Sequence, residues 1–225
     1  GPSTPTVLYV GEGAAWSSTA EDALAERLCA RGGCRVAAID VRGRGECAMG
    51  FPPRGRAYFA GRMTDEAYLT WFTLMLGRPL LGGQVHDVLR TLEYLRSRTD
   101  IRGPISLVGD GPHGVIALYA AALDQQVRGV ALRQVTADYL SLAVAERYSQ
   151  PFGIYAYGLL REFDLPDVAG AIGPRPVLLL DPASPEGRPA DAEARRLYGS
   201  VPHVTVRTAP AGEDPAGTLA AWAAG

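Results

Sequence analysis

The chain predicts an α/β fold, a doubly wound and mostly parallel sheet of about six strands with helices on both faces. Three observations carry that prediction. Short apolar runs alternate with amphipathic stretches along the chain. The runs are continuous rather than in–out alternating, the pattern of strands buried on both faces. The length of 225 residues and a hydrophobic fraction of 47% suit one domain with a sizeable core.

The elements follow in order. Residues 6–10, "TVLYV", read as the first strand, and residues 20–31 as a helix that enters through Ser17 and Ser18, natural N-cap residues. Residues 35–39 form the second strand. Residues 80–98 carry apolar side chains at helical spacing, so a long amphipathic helix is expected there. Residues 105–108 form a strand that runs through "GDGPHG" into a helix over 113–123. Three more strands are expected at 127–132, 176–180 and 204–207, with helices at 191–198 and 215–224. Layers of this kind make a two-sided sheet.

Two segments interrupt the rhythm. Residues 41–77 hold the glycine- and proline-rich "VRGRGECAMGFPPRG" and then a helical stretch, "TDEAYLTWFTLML". Residues 136–173 are too long for a plain helix-to-strand connection and predict a helical cap insertion over the carboxyl ends of the strands. Its Tyr139, Tyr148, Tyr155 and Tyr157 either stack on a ligand ring or form the core of the cap. The opening Gly1-Pro2-Ser3 reads as a protease-cleavage remnant, and the remainder as one domain excised from a longer chain.

Composition removes several functional classes. A formal net charge of −2 gives no electrostatic basis for nucleic acid or an anionic membrane as partner. No apolar run approaches the about 18 residues of a membrane span. All 22 basic residues are arginine, so lysine chemistry is excluded; lysine and asparagine are both absent, as in a GC-rich genome, a bacterial one on this reading. With three cysteines, three histidines and no CxxC, neither a metal nor a cofactor is expected. Cys29 and Cys34 are close enough in sequence to pair, or are plain structural thiols.

The stretch "SLVGDGPHGVIALYAAALD", Ser106 to Asp124, carries the chemistry question. A strand, a tight glycine turn and a helix make the architecture of a nucleophile elbow, in which a strained turn displays a reactive side chain. The tip of this turn is Gly111. The same residues also match G-x-G-x-x-G through Gly109, Gly111 and Gly114, a phosphate-binding pattern. That nucleotide reading lacks an acidic residue after the next strand, has only Arg133 for a 2′-phosphate, and loses one amide at Pro112. A second glycine pair, Gly11 and Gly13, precedes a strand that leads to Asp40, which is the more natural ribose position.

Further segments extend the elbow pattern. "DVRGRGEC" follows the second strand. "RPLLGGQVHDVLRTLEYLRSR", "LVGDGPHGVIALYAAALD", "LLREFDLPDVAGAIGPRPVLLLDP" and "ADAEARRLY" complete it. From about Val7 to Trp222 the chain resembles the acetyl-xylan-esterase-like branch of the α/β-hydrolase superfamily, with the two leading strands missing. The resemblance implies the α/β-hydrolase fold, carboxylic-ester hydrolysis in active members, and a secreted or periplasmic location as allowed.

Carried over position by position, the resemblance puts the catalytic serine on Gly111, the oxyanion donor on Pro112 and the closing glycine on His113, with Gly114 next. The acid falls on Asp181, with Glu186 as a second candidate, and the histidine on Glu213 or Asp214. Gly111 has no side chain and Pro112 no N–H. Glu12, in the loop that completes the oxyanion pocket, brings negative charge where an anion must form. His203 precedes the last strand, at the wrong end of the sheet. These departures predict a degenerate triad and a pseudoenzyme, serving as a structural or ligand-binding module.

Alternative chemistry centres on His113, which is either a base on a bound water with Asp110 or Asp214 nearby, or a histidine that caps the turn or packs under the cap. Cys47 lies in a loop that is not the nucleophile's place, Ser106 is expected buried in its strand, and His86 on the long helix has no assigned role. An unconventional or weak ester hydrolase is therefore the enzyme alternative. The expected partner is a small ester or carbohydrate ligand, or the rest of a larger parent chain.

Overall fold

The computed structural model describes residues 1, 3–11, 24–31, 33–50, 65–210 and 212–225. Six parallel strands form one sheet in the order β2-β1-β3-β4-β5-β6. They are β1 (Thr6–Val10), β2 (Arg35–Ala38), β3 (Ile105–Asp110), β4 (Val130–Arg133), β5 (Val177–Leu180) and β6 (Val204–Arg207). The three strands β1, β3 and β5 are buried almost throughout, whereas β6 alternates between half-buried and exposed residues, as an edge strand does. The fourth strand begins at Val130 rather than Val127. Residues 127–129 only lead into it, through the turn in which the Val127 amide bonds the Asp124 carbonyl.

Helices cover both faces. On one lie α1 (Leu24–Arg31) and α8 (Pro215–Ala224), which bury Leu24, Leu28 and Leu219 against Val7, Val108 and Leu178. On the other lie α3 (Leu80–Ser97), α4 (Val115–Leu123), α6 (Leu165–Ile172) and α7 (Asp191–Tyr198). The apolar stripe of α3, Leu81, Val85, Val88, Leu92 and Leu95, is buried there, and removing a side chain such as Leu92 would cost roughly 2–5 kcal/mol. The sequence of α4, "VIALYAAAL", is apolar on all sides, and its residues are buried on nearly all sides. Such a helix can form only inside the protein.

The segment expected as a cap divides in two. Its last part is α6, a crossover helix that packs on α4 and returns the chain to β5. The part before it holds α5 (Tyr139–Val144) and two single 3₁₀ turns, Phe152–Ile154 and Leu159–Arg161. Tyr139 is core, its hydroxyl donating to the Ile154 carbonyl at 2.7 Å, and Tyr155 packs against that core. Tyr148 is partly and Tyr157 largely exposed, along a groove of about 610 Å³. The remaining helix, α2 (Asp65–Met75), meets the first of those turns. Among the described residues no helix is long and apolar enough to cross a membrane, and no cluster of three metal-ligating side chains occurs. Cys29, Cys34 and Cys47 are unbonded thiols, so no 29–34 disulfide forms.

Candidate functional site

Strand order reverses between β1 and β3: β2 lies on one side of β1, and β3 to β6 extend on the other. Crevices at the carboxyl ends of strands at such a point are where ligands of α/β sheets bind. The elbow is built there. Gly111, directly after β3, has φ 66° and ψ −169°, a conformation that suits glycine. Pro112 then opens a 3₁₀ turn, Pro112–Gly114, ahead of α4. The expected helix start at His113 is thus a tighter turn, and the α-helix begins at Val115.

The turn closes on Gly109 and Gly114. A Cβ on Gly109 would lie 2.6 Å from the Gly114 carbonyl oxygen, and one on Gly114 would lie 2.9 Å from the Gly109 carbonyl carbon. The backbones of strand and turn touch, so Gly114 makes the close approach that the family resemblance implies for position 113. That frees position 113 for a large side chain.

His113 turns inward and is 1% exposed. Its Nε2 lies 2.8 Å from Glu66 Oε1 and 2.8 Å from Arg44 Nη1, while Arg44 Nη1 donates to Glu66 Oε2 at 3.0 Å. The carboxylate only accepts and the guanidinium only donates, so the proton on Nε2 selects which of them His113 engages. Burial raises the Glu66 pKa, but the His113 hydrogen bond and the His113 and Arg44 charges outweigh it. The carboxyl stays below its ordinary range. Neither Asp110 nor Asp214, the partners anticipated for His113, is among these contacts. Asp110 instead accepts from Arg133 Nη1 at 2.6 Å and from the Tyr9 hydroxyl at 2.9 Å. Burial, then the Asp110 charge, raises the Tyr9 phenol far above its ordinary pKa and keeps it a donor. Arg133, the candidate for a 2′-phosphate, is held in that network.

A cavity of about 520 Å³ opens on the other side of the elbow tip, walled by Gly111, Pro112, Gln134, Gln150, Asp181 and Thr208 among others. Three residues line up along the strand ends: Gly111 after β3, Gln134 after β4 and Asp181 after β5. Each amide donates to the last residue or residues of the neighbouring strand, Arg133, Leu180 and Arg207, at 2.9–3.0 Å. All three have positive φ, 66°, 53° and 50°, and Gln134 and Asp181 are the non-glycine residues that do so among those described. Extending the ladder by one residue and then turning sharply forces this conformation. Backbone strain of this kind concentrates at functional edges.

Asp181, the expected acid, lies in the cavity wall, and its Oδ1 accepts from the Ala209 amide in the loop after β6 at 2.8 Å. Asp214, the expected histidine position, is the N-cap of α8, accepting from the Ala216 amide, and pairs with Arg27 and Arg31. Hydrogen bonding from Arg31, then from the Ala216 amide, lowers its pKa. It is not part of the cavity wall. Glu186 pairs with Arg188 on the surface. Ser106 is buried in β3, His86 is exposed on α3, and His203 Nε2 contacts the Ala169 carbonyl at 2.8 Å. Glu12, Ser17 and Ser18 lie outside the described residues. Sequence reasoning missed Arg44, Glu66, Gln134, Gln150 and Asp191. Only Gln134 carried a signal, its place directly after an apolar strand.

No protein-family model matches the chain. It is 28% identical over 110 residues, 48% of its length, to the Bacillus subtilis (strain 168) "Putative hydrolase YtaP". The match spans 36% of that relative, so the chain corresponds to about a third of it. Among solved structures, a "putative acetyl xylan esterase" from Bacteroides fragilis superposes with TM-score 0.66 at 17% identity, over 95% of this chain and 61% of that one. The acetyl xylan esterase from Paenibacillus sp. R4 gives 0.61 at 21% identity, over 98% and 73%. Est1E from Butyrivibrio proteoclasticus, solved with ferulic acid bound, gives 0.60 at 12% identity, over 100% and 88%. The parallel sheet, the elbow at its switch point and these superpositions together give the chain the α/β-hydrolase fold, in a form that resembles acetyl xylan esterases.

Proposed function

We propose that this chain is an α/β-hydrolase-fold domain that does not hydrolyse esters at its elbow and serves as a ligand-binding or structural module. The observation that carries this reading is the pair Gly111-Pro112 at the elbow tip, facing the cavity. Gly111 offers no nucleophile, and Pro112 offers no N–H to an oxyanion. Losing a single oxyanion donor costs about 3–4 kcal/mol in the transition state, and here the nucleophile is lost as well. Asp181 stands where an acid would orient a histidine, but its near oxygen is held by the Ala209 amide. The histidine nearest the elbow tip in sequence, His113, is buried against Glu66 and Arg44. What remains at the strand ends is a polar cavity of a size that suits a small ligand.

The test is hydrolysis of p-nitrophenyl acetate and of acetylated xylan, by this chain beside His113→Ala. Both proteins are expected to match buffer alone. Turnover that His113→Ala abolishes would overturn the reading in favour of a hydrolase that activates water through His113.

A further inference from the structure

Helix α2 is built inside out. Its inner side is anchored through Glu66, which pairs with His113 and Arg44, and through Leu69, which packs against the turn at Gly43. The hydroxyls of Thr70 and Thr73 turn back on the helix and donate to the Glu66 and Leu69 carbonyls at 2.8 Å. The outer side carries Trp71, Phe72 and Met75, which are 56%, 53% and 81% exposed. With the half-buried Tyr68 they stand at i, i+3, i+4 and i+7, the spacing by which a helix buries one face. Residues 67–77 contain no charged side chain. Aromatic residues and methionine without charge are the composition of an interface core.

The size of the patch fits an interface. Aromatic side chains present about 150–250 Å² each, and on that scale the exposed parts of Trp71, Phe72, Leu74, Met75 and Leu76 come to roughly 700 Å². The largest apolar patch of a typical monomer is about 300–600 Å², and a specific interface covers about 800 Å² on each partner. A membrane surface is a poorer fit, because α2 carries no basic residue to meet lipid headgroups.

The stripe is also symmetric about its own centre, the point between residues 71 and 72. Tyr68 and Met75 are equally far from that point along the chain, and so are Asp65, the first residue of α2, and Arg78, just past its end. Two copies of α2 laid antiparallel across a two-fold axis there would set Trp71 of each against Phe72 of the other. Tyr68 would meet Met75, and the acidic end of each helix would meet the basic end of the other. The surface is thus complementary to itself in shape of pattern and in charge.

We propose that α2 is a dimerisation helix, through which this chain packs antiparallel on a second copy of itself. The inference is independent of whether the elbow hydrolyses esters.

The experiment is sedimentation velocity on this chain from about 1 to 100 μM, a range that spans weak specific association. Reductant is present because Cys29 and Cys47 are exposed thiols. A reversible monomer–dimer equilibrium is expected. Trp71→Glu and Met75→Glu, both at exposed positions, are each expected to weaken dimerisation at least tenfold with an unchanged circular dichroism spectrum. Leu123→Glu, an equally exposed apolar position at the end of α4, is expected to leave it unchanged. Asp65→Arg and Arg78→Asp are each expected to weaken it about threefold, and the double reversal to restore it. A monomer throughout the range would overturn the proposal and leave the patch to a different partner. So would a dimer unaffected by both Trp71→Glu and Met75→Glu, which would use another face. Single reversals that the double reversal fails to rescue would overturn the antiparallel arrangement.

Discussion

The two sides of the elbow differ in how their polar groups are met. Behind the tip, Glu66 pairs with both His113 and Arg44 inside the protein, though Arg44 Nε is buried without a hydrogen-bond partner, and α2 and the chain after β2 are tied to the turn through these contacts. In front of the tip, Asp181 and Gln150 line a cavity, Asp181 with one oxygen held by the Ala209 amide and Gln150 with a buried Oε1 that has no hydrogen-bond partner. Satisfied polar groups in a low-dielectric interior rigidify a fold, whereas unsatisfied ones weaken it unless a ligand completes them. The first side therefore contributes to stability, and the second contributes less to it. Mutations on the two sides should differ in sign.

The largest effect is expected behind the tip. Glu66→Ala leaves the Arg44 guanidinium buried and unpaired beside His113, and should cost about 3–5 kcal/mol in urea unfolding. A loss below 1 kcal/mol would mean that the cluster is not a structural tie. At the tip itself, Gly111→Ser puts a side chain on a residue with φ 66° and should cost about 1–2 kcal/mol. The same variant should hydrolyse p-nitrophenyl acetate no faster than buffer, because Pro112 still supplies no donor. Recovery of esterase activity by this single change would indicate that the rest of the machinery is intact. In front of the tip the sign reverses. Gln150→Leu removes an unpartnered buried amide and should raise the stability of the unliganded protein by about 1 kcal/mol. A loss of similar size would show that the amide is already satisfied.

The smallest effect is on acid stability. The Glu66 pKa is lower in the folded chain than its ordinary value of 4.5. Its contribution is thus complete above about pH 4.5 and is lost as pH falls through the lower folded value. Denaturation free energies measured from pH 6 downward should fall more steeply in the parent chain than in Glu66→Gln, and parallel curves would remove Glu66 as a source of acid sensitivity.

Much of the fold is legible in the residues, and less of the site. The runs "TVLYV", "ISLV" and "VLLL" are apolar without alternation, which only a strand covered on both faces can tolerate, so the parallel sheet follows from local pattern. The elbow is legible because a strand, spaced glycines and an apolar helix are contiguous. The crossover helix α6 was hidden inside the expected cap. It is an eight-residue helix in a long, compositionally mixed segment, where periodicity has too few turns to register. Glu66 was unreadable for a different reason: it lies 47 positions from His113, and nothing local distinguishes it from a surface glutamate.

The sequence alone determined the layered fold, the position of the elbow and the identity of its tip, because hydrophobic period and the special backbone of glycine and proline are local properties. It also determined that Gly111 carries no hydroxyl and Pro112 no N–H. The tertiary structure decided which way His113 faces, that Asp110 belongs to Arg133 and Tyr9, and that Asp181 and Gln150 meet at one cavity. Those facts depend on which distant side chains share a low-dielectric space, and only the folded chain brings them together.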